Sequence, residues 1–267
     1  MADCLYYVYA IVPPTIAVAV APAGVDDARV ELIAERDVAA LVGCVDATTY
    51  GAGIDDRIAD VAWLAPRATA HDAVLTWASD LGPVIPLPLF SLFRSRAAVS
   101  SMLRDRHDDL AATLDRVGRG REFGVRLFRV DDELRKSLGA LSPTVAALEA
   151  EVAAAASPGQ GYLLGRKLDA AKKDELRRVA ASVAISAYDE LAARSLAATQ
   201  DPLPKTSAEQ TGAAILNAAF LVAHDRIDEF RSVVTELVLR HRTQGFRVEF
   251  TGPWPPYHFA RSDSDVG

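Results

Sequence analysis

Ala-Ala-Ile-Leu-Asn-Ala-Ala-Phe-Leu-Val (213–222), a helix-forming run, and then Phe-Arg-Val-Glu-Phe (246–250) together decide how the second half of this chain folds. The first segment is apolar on both faces, as a strand covered on two sides must be. Ile227, Phe230, Val234, Leu237 and Val238 then recur at helical spacing, with Asp225 placed to cap the helix and Gly245 to end it. Residues 246–250 alternate apolar and charged, the pattern of a half-buried strand. Working upstream, Phe123, Val125 and Leu127 alternate with Gly124 and Arg126, which predicts a strand over 121–130. Between these strands lie alanine-rich helical sequence at 131–156, a Ser157-Pro158-Gly159 break, and helix-forming sequence over 161–199. The apolar stripe of that last stretch is Leu168, Leu176, Val179, Val183, Ala187 and Leu191. Unbroken, it would reach roughly 58 Å, so it must bend or project. Strand, helices, strand, helix, strand is the order of an α+β sandwich of the ferredoxin-like kind. The expected second domain is therefore 121–260, with a disordered tail at 261–267.

Residues 1–120 predict a separate N-terminal α+β domain. Cys-Leu-Tyr-Tyr-Val-Tyr-Ala-Ile-Val (4–12) reads as a buried strand, and the apolar runs 29–34 and 38–45 as a hairpin turning at Glu35-Arg36-Asp37. A helical pattern follows over 55–80, kinked or restarted at Pro66, with Ala70, Val74, Trp77 and Leu81 on one face. Pro86 and Pro88 make 84–93 an edge strand, because proline donates nothing to a ladder. Val99, Met102, Leu103, Leu110, Leu114 and Val117 mark one further helix, stopped by Gly118 and Gly120.

The chain has 267 residues, with 36 acidic against 29 basic side chains and a net charge of −7. That balance gives no general attraction for nucleic acid or anionic lipid. Asp3 is the only early charge, which does not suit a signal peptide, and Pro13-Pro14 and Pro22 do not suit a membrane helix. A soluble, intracellular protein is expected. Cys4 and Cys44 have no ligand spacing and are read as small buried apolar residues of a reducing compartment, a disulfide being the alternative.

The search for chemistry finds little. His71, His107, His224, His241 and His258 are scattered, and no nucleophile elbow, phosphate loop or dinucleotide fingerprint occurs. His71, four residues after Arg67, is read as a partly exposed helical histidine. The expectation is no enzyme, no metal and no cofactor. Two features are left. One is the basic side of the long helix, Arg166, Lys167, Lys172, Lys173, Arg177 and Arg178, which is either a solvated face or a dock for an acidic partner. The other is Gly252-Pro253-Trp254-Pro255-Pro256-Tyr257, stiffened by three prolines. Its aromatics, with Phe259, either anchor a partner or fold back over the protein's own sheet; the second reading is preferred.

That tail, together with Leu216-Asn217-Ala218-Ala219-Phe220-Leu221-Val222, Phe230 and Val248, resembles the C-terminal signature of the gas vesicle GvpL/GvpF family. Tyr6 to Ile11, Ala70-His71, Val74-Leu75, Val84-Ile85-Pro86-Leu87, Glu122-Phe123-Gly124-Val125 and Gly161-Tyr162-Leu163 fit in order, so the resemblance spans about 4–259. The chain departs from the pattern after Leu87, where Pro88-Leu89-Phe90-Ser91 replaces an arginine and Phe-Gly-Thr. The resemblance implies an N-terminal α+β domain, a C-terminal ferredoxin-like domain, and residence at the gas vesicle and in the cytoplasm. It further implies a non-catalytic accessory or minor structural protein that takes part in assembly by contacting the small hydrophobic shell protein and other vesicle accessory proteins. The candidate partner-binding residues are Trp254, Pro255, Pro256, Tyr257, Phe259, Lys172, Lys173 and Arg177. The alternative is a small-molecule- or haem-binding protein on the same scaffold, with His71 or His224 as ligand.

Overall fold

The computed structural model describes residues 4–51, 53–204 and 212–260; the tail expected at 261–267 lies outside them. The chain divides into two compact units, one running to Glu122 and resuming at Pro253, the other Phe123–Gly252. Residues 253–260, assigned from the sequence to the second domain, thus cluster with the first. The reason is packing: Pro255, Pro256 and Ala260 are buried, and Phe259 lies against the first unit's core.

The first unit is built on β1 (Cys4–Val12), β2 (Glu31–Glu35) and β3 (Val38–Asp46), with β4 (Ile85–Pro86) and β5 (Leu92–Phe93) completing the sheet. Its order is β2-β3-β1-β4, with β5 also paired to β1, so both proline-flanked strands sit at an edge. The β2–β3 hairpin turns through Arg36 in the left-handed region (φ 56°). Along β1 and β3 the register slips between Val8 and Ala10, leaving Tyr9 as the extra residue of a bulge. Room for its phenol comes from two missing side chains: a Cβ on Gly24 would stand 2.2 Å from the Tyr9 hydroxyl, and one on Gly43 2.9 Å.

Two short helices, α1 (Ala47–Tyr50) and α2 (Ile54–Ile58), lead to α3 (Val61–Leu81), which carries Pro66 inside it without breaking. The break falls instead at Asp60, whose carboxylate accepts the Ala62 N–H and starts the helix. The buried face of α3 is His71, Val74, Leu75 and Ala78, rotated from the expected stripe, and Leu81 is left exposed. This face covers one side of the sheet. The expected single helix over 99–117 is two, α4 (Arg96–Asp105) and α5 (His107–Gly118), separated where Arg106 leaves helical geometry. Val99, Leu103, Leu110, Leu114 and Val117 from these helices cover the other side, against Val8, Ile11, Ile33 and Val42. Each such fully buried side chain contributes about 1.5–3 kcal/mol.

The cysteines depart from expectation. Cys44 is exposed and Cys4 only half-buried, and a disulfide joins them across β1 and β3, Cα to Cα 5.8 Å. Cys44 lies on the same face of β3 as buried Val38, Ala40 and Val42 but near the strand's C-terminal end, where it stays exposed, and a residue-type argument does not see this.

The second unit takes in most of β6 (Gly120–Arg129), then α6 (Asp131–Leu141), α7 (Pro143–Ala153), α8 (Pro158–Ala192), β7 (Ala197–Gln200), β8 (Ala213–Ala223), α9 (Ile227–His241) and most of β9 (Phe246–Trp254). The sheet order β7-β8-β6-β9 is that of a ferredoxin-like split βαβ. α8 is a single helix of 35 residues, capped by Ser157, which accepts the Gln160 N–H. It ends seven residues before the expected limit, because Ala197–Gln200 pairs with β8 as an edge strand. Its C-terminal half packs on the sheet with α9 through Ala184, Ala187, Leu191, Phe230 and Leu237. Leu176 and Val179 pack with α6 and α7 on Phe246, in a smaller core. Asp225 lies in a 3-10 turn ahead of α9 and its side chain does not cap the helix. The molecule is an α+β protein, and among the described residues no helix is long and apolar enough to cross a membrane.

Candidate functional site

The C-terminal segment is fixed to the first unit by its polar atoms as well as its rings. Tyr257 Oη donates to Asp72 Oδ1 at 3.1 Å, and burial with the nearby Asp72 charge pushes the phenol well above its usual pKa. The carboxylate of Glu122, itself buried, accepts the His258 N–H at 3.0 Å and lies 2.6 Å from His258 Nδ1. Arg116 donates to the Phe259 carbonyl at 3.2 Å. Pro255 and Pro256 are interior, Phe259 is half-buried, and Trp254 and Tyr257 keep 45% and 38% of their surface exposed. The segment therefore folds back on the protein while still showing two rings to solvent.

The basic residues belong to α8 in the second unit. Lys172 is paired with Glu149 at 2.8 Å. Arg178 holds Glu175, which also accepts from Ser142 at 2.6 Å, and these two donors keep the Glu175 carboxyl down at about 2. Lys173 and Arg177 are exposed.

A third group escaped the sequence reading. Tyr50 donates to Asp26 at 2.6 Å, Arg67 Nε donates to the Tyr50 hydroxyl at 2.9 Å, and Arg67 Nη2 reaches Asp26 at 2.8 Å. The same guanidinium lies 4.1 Å over Trp63, which stacks on Phe90. Next to it, Tyr7 Oη and His71 Nδ1 are 2.9 Å apart, and the Phe90 N–H donates to the Tyr7 hydroxyl at 3.1 Å. The Val25 N–H donates to Tyr9 Oη at 2.9 Å. His71 is only 5% exposed, which corrects the expectation of a partly exposed residue. Burial lowers its pKa to about 4, and burial likewise raises that of Tyr9 to about 12 and that of Tyr7 further. With both partners neutral, the phenol donates to Nδ1. The hydroxyls of Tyr7, Tyr9 and Tyr50 and the Nδ1 of His71 tie loops and α3 to one another and to β1. The one available signal was Trp63, Arg67 and His71 at four-residue steps along a helix face. Their partners Asp26 and Tyr7 are too far off in sequence to be read.

Among the described residues, no group of three or more His, Cys, Asp or Glu side chains could hold a metal ion. His71 has Nδ1 engaged by Tyr7, and His224 is exposed in the turn before α9.

A family model described as "Gas vesicle synthesis protein GvpL/GvpF" matches residues 5–261. Gas vesicle protein L of a Streptomyces species is 31% identical over 97% of this chain and 93% of its own length. Gas vesicle protein L2 of Halobacterium salinarum is 30% identical, over 89% and 83% respectively. The crystal structure of gas vesicle protein GvpF from Anabaena sp. PCC7120 superposes with a TM-score of 0.71 at 19% identity, covering 97% of this chain and 99% of that one. GvpF from Microcystis aeruginosa gives 0.67 at 17%, covering 97% and 100%. At those identities the two structures speak for the fold alone. The profile match runs through both units and the returning C-terminal segment, and the chain belongs to the gas vesicle synthesis protein GvpL/GvpF family.

Proposed function

We propose that this protein is an accessory or minor structural component of gas vesicles that assists assembly by binding the small hydrophobic shell protein. It acts by presenting a folded surface and carries out no catalysis. The observation that carries the reading is the Trp254–Tyr257 segment. Two large aromatics stay partly exposed on backbone anchored by two buried prolines and by hydrogen bonds to Asp72 and Glu122. Rigid aromatics of this kind dock at small entropic cost, and they suit an apolar protein surface. Pro255, Pro256 and Phe259 serve by holding that segment in place. Lys173 and Arg177 stand as a second surface, to which an acidic partner would be drawn, with Lys172 beside them held by Glu149.

The test is titration of the purified chain with the shell subunit, alongside Trp254→Ala/Tyr257→Phe. Saturable binding that weakens about tenfold in the variant supports the reading. Absence of binding, together with normal vesicles in a strain lacking the chain, would end it.

A further inference from the structure

Along α8, one seam faces away from the protein for some 22 residues, or about 33 Å of helix. Leu163, Ala170, Ala181 and Ile185 supply its apolar and small positions, and Lys167, Asp174 and Arg177 fill the steps between, giving spacings of four and three residues. All seven are exposed, Leu163 by 68% and Ile185 by 62%. Four- and three-residue steps are those at which one helix seats another. At its C-terminal end the seam opens on a shallow cleft lined by Arg178, Ala181, Ser182, Ile185, Asp189 and Glu190.

We propose that this seam docks an amphipathic α-helix of another protein, one bearing acidic side chains along its flank. The inference goes beyond the shell-binding reading and needs only α8. Charge selects the occupant. On a chain of net charge −7, Arg166, Lys167, Lys173 and Arg177 gather on this side of one helix. Among the described residues none of the four makes an ion pair, whereas neighbouring Lys172 and Arg178 are held by Glu149 and Glu175. A second copy of this chain is disfavoured, because a two-fold axis near the seam's middle sets Lys173 and Arg177 against their own copies. A lipid surface is disfavoured too, since alanines and Asp174 interrupt the apolar line and leave little to bury in a bilayer.

The probe is a fluorescent four-heptad peptide with leucine and alanine on its seam and glutamate on both flanks, beside a twin carrying lysine for glutamate. Anisotropy titration with the full chain should give saturable binding of the glutamate peptide at least about tenfold tighter than of its twin. Lys173→Glu with Arg177→Glu, or separately Leu163→Asp with Ile185→Asp, should each weaken it about tenfold. All four positions are exposed, so these variants keep the fold. Equal affinity for the two peptides, no binding of the glutamate peptide, or indifference to both variant pairs overturns the proposal. Binding to phosphatidylserine vesicles that equals the peptide's and is lost in the charge variant also overturns it, in favour of a membrane-facing surface.

Discussion

The two sheets share one strand order, second, third, first, fourth, yet they fill their principal cores with different chemistry. In the second unit Phe123, Phe220, Phe230 and Phe250 stack together, with ring centres 5.3 Å apart for Phe123 and Phe250 and 5.6 Å for Phe220 and Phe230. In the first, Tyr7, Tyr9, Tyr50 and His71 occupy the corresponding ground, and each brings a polar atom that must be matched. A hydrocarbon core gains its stability from packing and is indifferent to pH. A phenol–imidazole core gains specificity of register, because a slip leaves buried groups unpaired, and it becomes sensitive to protons.

Four substitutions or conditions separate the two. The largest effect belongs to Phe230→Ala, which empties a fully buried ring site and should cost about 3–5 kcal/mol. Urea unfolding followed by far-ultraviolet circular dichroism measures this. All three tryptophans, Trp63, Trp77 and Trp254, fall in the first unit, so the fluorescence transition should move less; an equal shift in both probes would break the contrast.

Acid should act the other way round. The imidazole of His71 titrates near 4 in the fold and near 6.5 in an unfolded chain, so between those values the unfolded chain holds the extra proton. The first unit is therefore fully stable above 6.5 and loses up to roughly 3 kcal/mol as pH falls through the window to 4. Tryptophan-detected unfolding at pH 7, 5.5 and 4.5 should show this slope, and His71→Gln should flatten it. A slope that survives the substitution assigns it elsewhere.

Tyr7→Phe comes next. It removes the donor to His71 and the acceptor of the Phe90 N–H, at about 1–3 kcal/mol, visible as a lowered midpoint by the same probe. The smallest effect is Ser157→Ala, which strips the cap from α8 and should cost about 1 kcal/mol, confined to the second unit. Faster hydrogen exchange in the first turns of α8, with the first unit unchanged, is the expected reading.

How much of this could be read beforehand depended on whether the signal was local. β1, the β2–β3 hairpin, β6, β8, α9 and β9 are periodic or end in recognisable punctuation, and they formed as expected. The proline-broken run at 84–93 yielded two short edge pairings, since proline limits donation wherever it stands. β7 did not show itself, because Ala197 and Ala198 favour a helix and only the register with Leu221 and Phe220 makes them a strand. The split at Arg106 was equally hidden, as its apolar stripe runs through the break without losing step. Of the candidate contacts, the exposure of Lys173 and Arg177 followed from helical phase. The different fates of Trp254, left partly outside, and of Pro255 and Pro256, taken inside, depended on tertiary packing that no local pattern carries.

The first unit borrows Phe259 and Ala260 to complete the layer around Val99, Leu110 and Val117. During translation its main body emerges some 130 residues before those two, a delay on the order of ten seconds at ribosomal speed. Until then that layer lacks two of its members. A polypeptide truncated at Gly252 lacks both residues and leaves the layer incomplete, however well its second unit is formed.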